Sequence, residues 1–210
     1  YIFLRDFKLA CDVIEQKINV IILLGGASGT GKSSIGSHLA YALSVATVLS
    51  TDSIRHIMRN FMSKEDNPVL FSSTYETHKS LVGAEYEDLT ESKKCLKGYK
   101  IQCELVQERL ERVIENYSNN KESIIVEGVH LTPDFMLKMI KKYKNCLHFQ
   151  IFISNEKKHK ERFSVRSKYM TLDAKSNKYV EHFKFIRIIQ KYCLKKAEEL
   201  LIPRIDNSNI

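Results

Sequence analysis

Gly26-Ala27-Ser28-Gly29-Thr30-Gly31-Lys32-Ser33 is the stretch on which the fold of this chain turns. It fits the pattern G-x-x-x-x-G-K-[ST]. The apolar run Val20-Ile21-Ile22-Leu23-Leu24 leads into it, and behind it Ile35, Leu39, Ala42 and Leu43 share one helical face. Strand, glycine-rich loop and helix is the context this pattern requires. Glycines let the backbone wrap and aim successive N–H groups at phosphate oxygens. The helix N-terminus adds donors and the positive end of a dipole. Lys32 can then reach the β- and γ-phosphates, and the Ser33 hydroxyl can ligate Mg²⁺. ATP with Mg²⁺ is therefore expected on Gly26, Ala27, Ser28, Gly29, Thr30, Gly31, Lys32, Ser33 and Ser34.

Outward from the loop, strands and helices alternate. A helix is expected over residues 1–18, with Phe3, Phe7, Leu9, Ala10 and Ile14 roughly on one side. The first strand covers about 19–24, the first core helix about 32–44, and Val45-Ala46-Thr47-Val48-Leu49-Ser50 is a β-branched second strand. A helix through Arg55 and Phe61 follows, then a polar loop over 63–74 containing Asn67-Pro68. A long helix spans about 91–117, and Ser123-Ile124-Ile125-Val126-Glu127 is the third strand, closed by Gly128. Thr132-Pro133-Asp134 opens another helix, with proline in its first turn. The fourth strand is 148–153, a basic helix covers about 155–166, a loop surrounds 171–173, and a helix covers about 177–199. Leu201-Ile202-Pro203-Arg204-Ile205 reads as a fifth strand, at an edge because it contains proline. Alternation of this kind predicts an α/β fold with a parallel five-stranded sheet and right-handed crossovers. Residues 55–120 contain no convincing strand and read as a helical, acceptor-binding insertion within one domain of 210 residues.

Three further constellations carry chemistry. Asp52 ends the second strand, at the sheet edge where open α/β folds bind ligands. It can orient or deprotonate an acceptor hydroxyl, or hold Mg²⁺ through water. Equally, Thr51 or Asp52 can cap the following helix. Arg55, one turn later, is either a surface arginine or a fork for an acceptor phosphate. Glu127 ends the third strand, the place of the acid that supports Mg²⁺ in phosphate-loop proteins. Gly128 permits close approach of a ligand, and His130 is either structural or a ligand contact. In the basic segment after the fourth strand, Arg162 and Arg166 are four apart and share a helix face. They are either part of a solvated helix or the arginines of a lid, over about 155–175, that neutralise charge on a transferring phosphoryl group.

Composition limits the partners. The net charge is +8, with 43% hydrophobic and 28% charged residues, which describes a globular chain with an anionic small-molecule substrate. No nucleic-acid module is recognisable, so nucleic acid is not an expected partner. The longest apolar runs fall far short of the roughly 20 residues of a membrane helix, and no membrane partner is expected. Cys11, Cys95, Cys103, Cys146 and Cys193 are scattered, with no C-x-x-C pair. Reduced thiols and a cytoplasmic location follow as expectations. The chain begins at Tyr1 rather than Met, as a piece of a longer protein would. Oligomeric state and the choice of ATP over GTP are not legible.

Four blocks together resemble a known family. They are Gly25 to Ser33; Leu49-Ser50-Thr51-Asp52-Ser53-Ile54-Arg55; Val126-Glu127-Gly128-Val129-His130-Leu131; and Glu161 to Thr171, with Ile202 to Asn207 in support. The chain is similar, over roughly residues 15–210, to the 2-phosphoglycerate kinases and their eukaryotic relatives, which include plant proteins tied to phytic acid levels. The similarity is closer to the eukaryotic branch. The resemblance implies a P-loop kinase domain and ATP-dependent phosphorylation of 2-phosphoglycerate to 2,3-bisphosphoglycerate. In that reading Lys32, Asp52, Arg162 and Arg166 are catalytic, Ser33, Asp52 and Glu127 serve the metal, and Arg55, Gly128 and His130 face the substrate. An inositol phosphate is the alternative acceptor. A nucleotide-dependent regulatory protein without metabolite turnover is the reading of another class.

Overall fold

The computed structural model describes residues 2–169 and 181–209, with side chains left undescribed at residue 2 and over 164–169. In chain order the elements are α1 (Ile2–Ile14), β1 (Ile21–Gly25), α2 (Lys32–Ala42), β2 (Thr47–Ser50) and α3 (Thr51–Met58). Then come α4 (Pro68–Phe71), a 3₁₀ turn (Thr77–Ser80), α5 (Ala84–Glu87) and the long α6 (Glu91–Asn119). The chain continues through β3 (Ile124–Gly128), α7 (Pro133–Lys142), β4 (Cys146–Phe152), α8 (Glu156–Tyr169), α9 (Phe183–Glu199) and β5 (Arg204–Asp206). The sheet is five-stranded in the order β2-β3-β1-β4-β5, and every pairing is parallel.

β1 and β3 are buried at every position, which explains their unbroken apolar runs. Their side chains alternate between faces. Ile21, Leu23, Ile124 and Val126 pack on one side with Leu110 and Ile114 of α6 and Met136 and Met139 of α7. Ile22, Leu24 and Ile125 pack on the other with Ile35 and Leu39 of α2. The result is a three-layer α/β sandwich of the P-loop type, with the glycine-rich loop joining β1 to α2. Register aligns Ser50 with Glu127, and Gly25 with both Gly128 and Gln150. The carboxyl ends of β1, β2 and β3 therefore form one rim.

Several local expectations need correction. The loop expected over 63–74 contains a helical turn, α4, because Pro68 at its start presets the backbone and Val69 and Leu70 bury. The fifth strand begins at Arg204, after Pro203 rather than across it. Pro203 still contributes its carbonyl, which accepts from Gln150 N at 2.9 Å. α1 forms, yet Phe3 and Phe7 of its apolar side remain 86% and 62% exposed. Between β2 and β3 the described residues are helical or irregular, as expected for the insertion. Of the expected loop around Thr171-Leu172-Asp173 and the start of the helix at 177, residues 171–180 lie outside the described residues.

Candidate functional site

The phosphate loop sits on the rim. Gly29 and Gly31 have φ of +78° and +87°, backbone that side-chain-bearing residues rarely adopt. Gly31 is the N-cap of α2, so the chain turns from loop to helix there without a capping side chain. Lys32 folds back over the loop, and its Nζ donates to Ala27 O at 2.9 Å. Thr30 Oγ1 donates to the same carbonyl at 3.0 Å.

β3 brings the acid. Glu127 shares a face of the sheet with Ile125, the α2 face, by strand alternation. Its Oε1 accepts a hydrogen bond from Ser33 Oγ at 3.0 Å. A hydroxyl and a carboxylate joined beside a phosphate loop could hold Mg²⁺ together with phosphate oxygens and water. Among the described residues no cluster of three or more His, Cys, Asp or Glu could hold a metal by protein ligands alone.

β2 delivers α3. Ser50 is the cap: its side chain accepts from Asp52 N at 3.2 Å. The expectation that Thr51 or Asp52 caps this helix is thus corrected, since α3 begins at Thr51, one residue earlier than a cap at Thr51 and two earlier than a cap at Asp52 would allow. The Asp52 side chain is half-exposed and pairs with Arg55 Nη2 at 3.0 Å. Arg55 is buried rather than a surface arginine, and its Nη1 donates to Ser72 O at 2.8 Å. Its Nε is buried with no hydrogen-bond partner among the described residues. Arg59 stands beside it and donates to Leu70 O at 3.0 Å. Burial first, and the Arg55 charge second, push its pKa down.

His130 departs from a ligand role. The ring is fully buried and does not line the cavity. Its Nδ1 lies 2.9 Å from Thr51 Oγ1 and its Nε2 3.1 Å from Gln102 Oε1. Gln102 Nε2 donates to Val69 O at 2.6 Å and Ser72 O at 3.1 Å, which fixes Oε1 as the atom facing His130. His130 therefore donates from Nε2 and accepts at Nδ1 from the Thr51 hydroxyl. Burial pushes its pKa down to about 3, so the ring is neutral. Gly128, which lines the cavity, is also a close-packing residue: a Cβ there would collide with Thr51 Oγ1.

The basic helix lies against the loop. Arg162 Nη2 donates to Asn207 O at 2.5 Å, and Asn207 Nδ2 donates to Thr30 O at 2.8 Å. His159 Nε2 donates to Ser28 O at 2.8 Å, and burial lowers its pKa. A Cβ at Gly29 would run into the Phe163 ring. Arg166 lies on the same helix, but its side chain is outside the described residues.

One cavity of about 610 Å³ gathers these groups. Its lining includes Ser28, Gly29, Gly31, Lys32, Ser33 and Ser34 of the loop, Asp52 and Arg55 of α3, Glu127 and Gly128 of β3, and Arg162 of α8. Ser73, Thr74 and Tyr75 line it too and were not singled out from the sequence. Asn207 and Gln102 were also missed as supports. A lone tyrosine or asparagine in a polar segment carries no local signal. Only the segment Ile202 to Asn207, quoted for its resemblance, pointed near Asn207.

No protein-family model matches the chain. It is 33% identical over 197 residues to a 2-phosphoglycerate kinase of Methanococcus maripaludis, covering 94% of this chain and 62% of that one. It is 35% identical over 206 residues to a 2-phosphoglycerate kinase of Methanothermobacter thermautotrophicus, covering 98% and 66%. Over nearly its whole length this chain is homologous to proteins named 2-phosphoglycerate kinase. An uncharacterized protein of Dictyostelium discoideum is 44% identical over 208 residues, 99% of this chain and 24% of that protein. The chain thus spans less than two thirds of the length of these relatives. Among solved structures, a shikimate kinase from Bacteroides thetaiotaomicron aligns at a TM-score of 0.46 and 17% identity, over 90% of this chain and 86% of that one. A score at that level adds nothing to the fold assignment, which rests on the strand order and the loop. The P-loop pattern lies on residues 26–33, and among the described residues no helix is long and apolar enough to cross a membrane.

Proposed function

We propose that this chain carries out ATP-dependent phosphoryl transfer to a small phosphorylated metabolite, with 2-phosphoglycerate as acceptor and 2,3-bisphosphoglycerate as product. The observation that carries this reading is that Lys32, Ser33 and Glu127 line the same cavity as Asp52 and Arg55. The names of the archaeal relatives support the choice of acceptor.

In this reading the loop N–H groups and Lys32 hold the β- and γ-phosphates of ATP. Ser33 and Glu127 hold Mg²⁺, which when bound neutralises phosphate charge. Asp52 accepts the proton of the acceptor hydroxyl. It is half-exposed to the cavity and already anchored by Arg55, which suits a base that must reach a bound alcohol. Arg55 grips the acceptor's existing phosphate. Its buried, unpartnered Nε supports an anionic neighbour, since an unmade buried hydrogen bond costs about 1–3 kcal/mol. Arg162, with Arg166 one turn on, neutralises charge on the transferring group. Gly128 lines the cavity, where it allows close approach of the acceptor, and His130 acts behind the wall by holding Thr51 and hence the start of α3.

Residues 55–120 then form the acceptor-binding insertion and 155–175 the lid of one kinase domain. The described cysteines are free thiols, which suits a reducing compartment such as the cytoplasm.

The test is an acceptor screen coupled to ADP release, offering 2-phosphoglycerate and a set of inositol phosphates. Release driven by 2-phosphoglycerate is the expected result. Release driven only by an inositol phosphate would reassign the acceptor and keep the mechanism. ATP binding without acceptor-dependent release would replace the kinase reading with a nucleotide-dependent binding protein.

A further inference from the structure

Tyr75 comes from the insertion yet touches the phosphate loop. Its side chain is buried, and its hydroxyl accepts a hydrogen bond from Ser28 N at 2.7 Å, across 47 residues. Ser28 is part of the P-loop itself, where backbone N–H groups serve phosphate oxygens. The end of the loop concerned is marked by Lys32, whose ammonium sits on Ala27 O at 2.9 Å, one residue before Ser28. In a P-loop that lysine reaches the β- and γ-phosphates. Ser28 N–H and the Tyr75 hydroxyl therefore meet at the outer-phosphate end of the site.

The chemistry of the phenol makes this pairing convertible. A phenol both accepts and donates, whereas a phosphate oxygen only accepts. With a phosphate oxygen at this point, Ser28 N–H and the Tyr75 O–H can both donate to it. No proton changes owner and no bond other than hydrogen bonds forms or breaks. Tyr75 also adjoins Thr74, whose Oγ1 lies 3.5 Å from Arg55 Nη1. One short segment thus links the loop to the arginine on the acceptor side.

We propose that Tyr75 is a γ-phosphoryl contact, its O–H donating a hydrogen bond, alongside the Ser28 N–H, to a γ-phosphoryl oxygen of a bound triphosphate. It makes the site favour a nucleoside triphosphate over a diphosphate. The inference rests on the nucleotide site proposed above and is independent of the acceptor's identity.

The experiment is calorimetric titration of the full chain and of Tyr75→Phe with a non-hydrolysable ATP analogue and with ADP, each with Mg²⁺. Hydrogen bonds to charged groups set the scale, so the analogue should bind Tyr75→Phe roughly ten-fold more weakly, with ADP changed less than about two-fold. Equal weakening of both ligands, or of neither, overturns the proposal. The ratio of the two affinities within one preparation does not depend on how much of the variant is folded. If the unaltered chain binds neither ligand, the nucleotide site itself is refuted, which is a separate and recognisable outcome.

Discussion

Ser33 Oγ donates to Glu127 Oε1 at 3.0 Å, joining the first turn of α2 to the end of β3 across 94 residues. The bond ties the two pieces of the proposed metal site together before any ion arrives. Glu127→Gln keeps the shape and an acceptor oxygen but removes the charge. The expected outcome is a 10–100-fold weaker dependence on Mg²⁺, on the scale of altered groups around metal sites. A Mg²⁺ titration of the ADP-release rate checks it, and an unchanged midpoint would remove Glu127 from the metal site.

Asp52 is held by Arg55 at 3.0 Å, while Ser50 supplies the helix cap. With capping assigned elsewhere, Asp52→Asn isolates the chemistry. Loss of a general base costs about 10²–10⁴-fold. Turnover should fall by at least 100-fold, with the KM for ATP little changed. Near-normal turnover in steady-state kinetics would reduce Asp52 to a partner of Arg55.

Arg55→Lys keeps a charge and loses the fork that spans Asp52 and Ser72 O. The expected effect is a rise in the KM for the acceptor of about ten-fold, the worth of one charge-assisted hydrogen bond. The KM for ATP should stay within about two-fold. Equal rises in both constants would argue for general distortion.

Gly128 leaves no room for a side chain, since an added Cβ would collide with the buried Thr51 hydroxyl. Gly128→Ala should destabilise by about 1–3 kcal/mol, as over-packing does. Thr51→Ala in the same chain should recover part of the loss, because it removes Oγ1 and Cγ2 and leaves only the Thr51 Cβ in the way. Urea unfolding of the two single variants and the double variant reads the coupling directly.

His130 gives a pH dependence with a defined sign. Burial holds its folded pKa at about 3, against about 6.5 in an unfolded chain. The unfolded state therefore binds the extra proton between those values, and stability falls as pH drops from about 6.5 toward 3. Burial also lowers the pKa of His78, His148 and His159, so all four act in one direction. The His130 share is isolated by comparing urea midpoints at pH 7.5 and 5 for the unaltered chain and His130→Gln. The variant should lose less stability on acidification, by on the order of 1 kcal/mol or more.

How much was legible in advance differs residue by residue. The loop, Lys32 and Ser33 carry a local pattern, and Glu127 stands out because an acid directly after the three apolar residues Ile124, Ile125 and Val126 marks the end of a buried strand. Tyr75, Gln102 and Asn207 have no such signal, because their partners lie 47, 28 and 177 residues away in Ser28, His130 and Thr30. His130 shows the limit most clearly. The sequence left it between support and ligand, and only the surrounding packing turned its ring toward Thr51 and Gln102 and away from the cavity. The N-cap of α3 was misplaced by a residue or two because Ser50, Thr51 and Asp52 are all good capping residues. Only the backbone decides which of them stands outside the helix.

The sequence by itself determined the parallel sheet, the phosphate loop and the likeness to 2-phosphoglycerate kinases, because these rest on periodicity, glycine placement and residue order along a local stretch. The tertiary structure decided which groups meet. Ser33 reaches Glu127 because β1 and β3 are neighbours in register, and Arg55 is buried because the 68–75 segment folds over it. Those are packing outcomes, set by burial and hydrogen-bond satisfaction between segments far apart in the chain, and no local pattern encodes them.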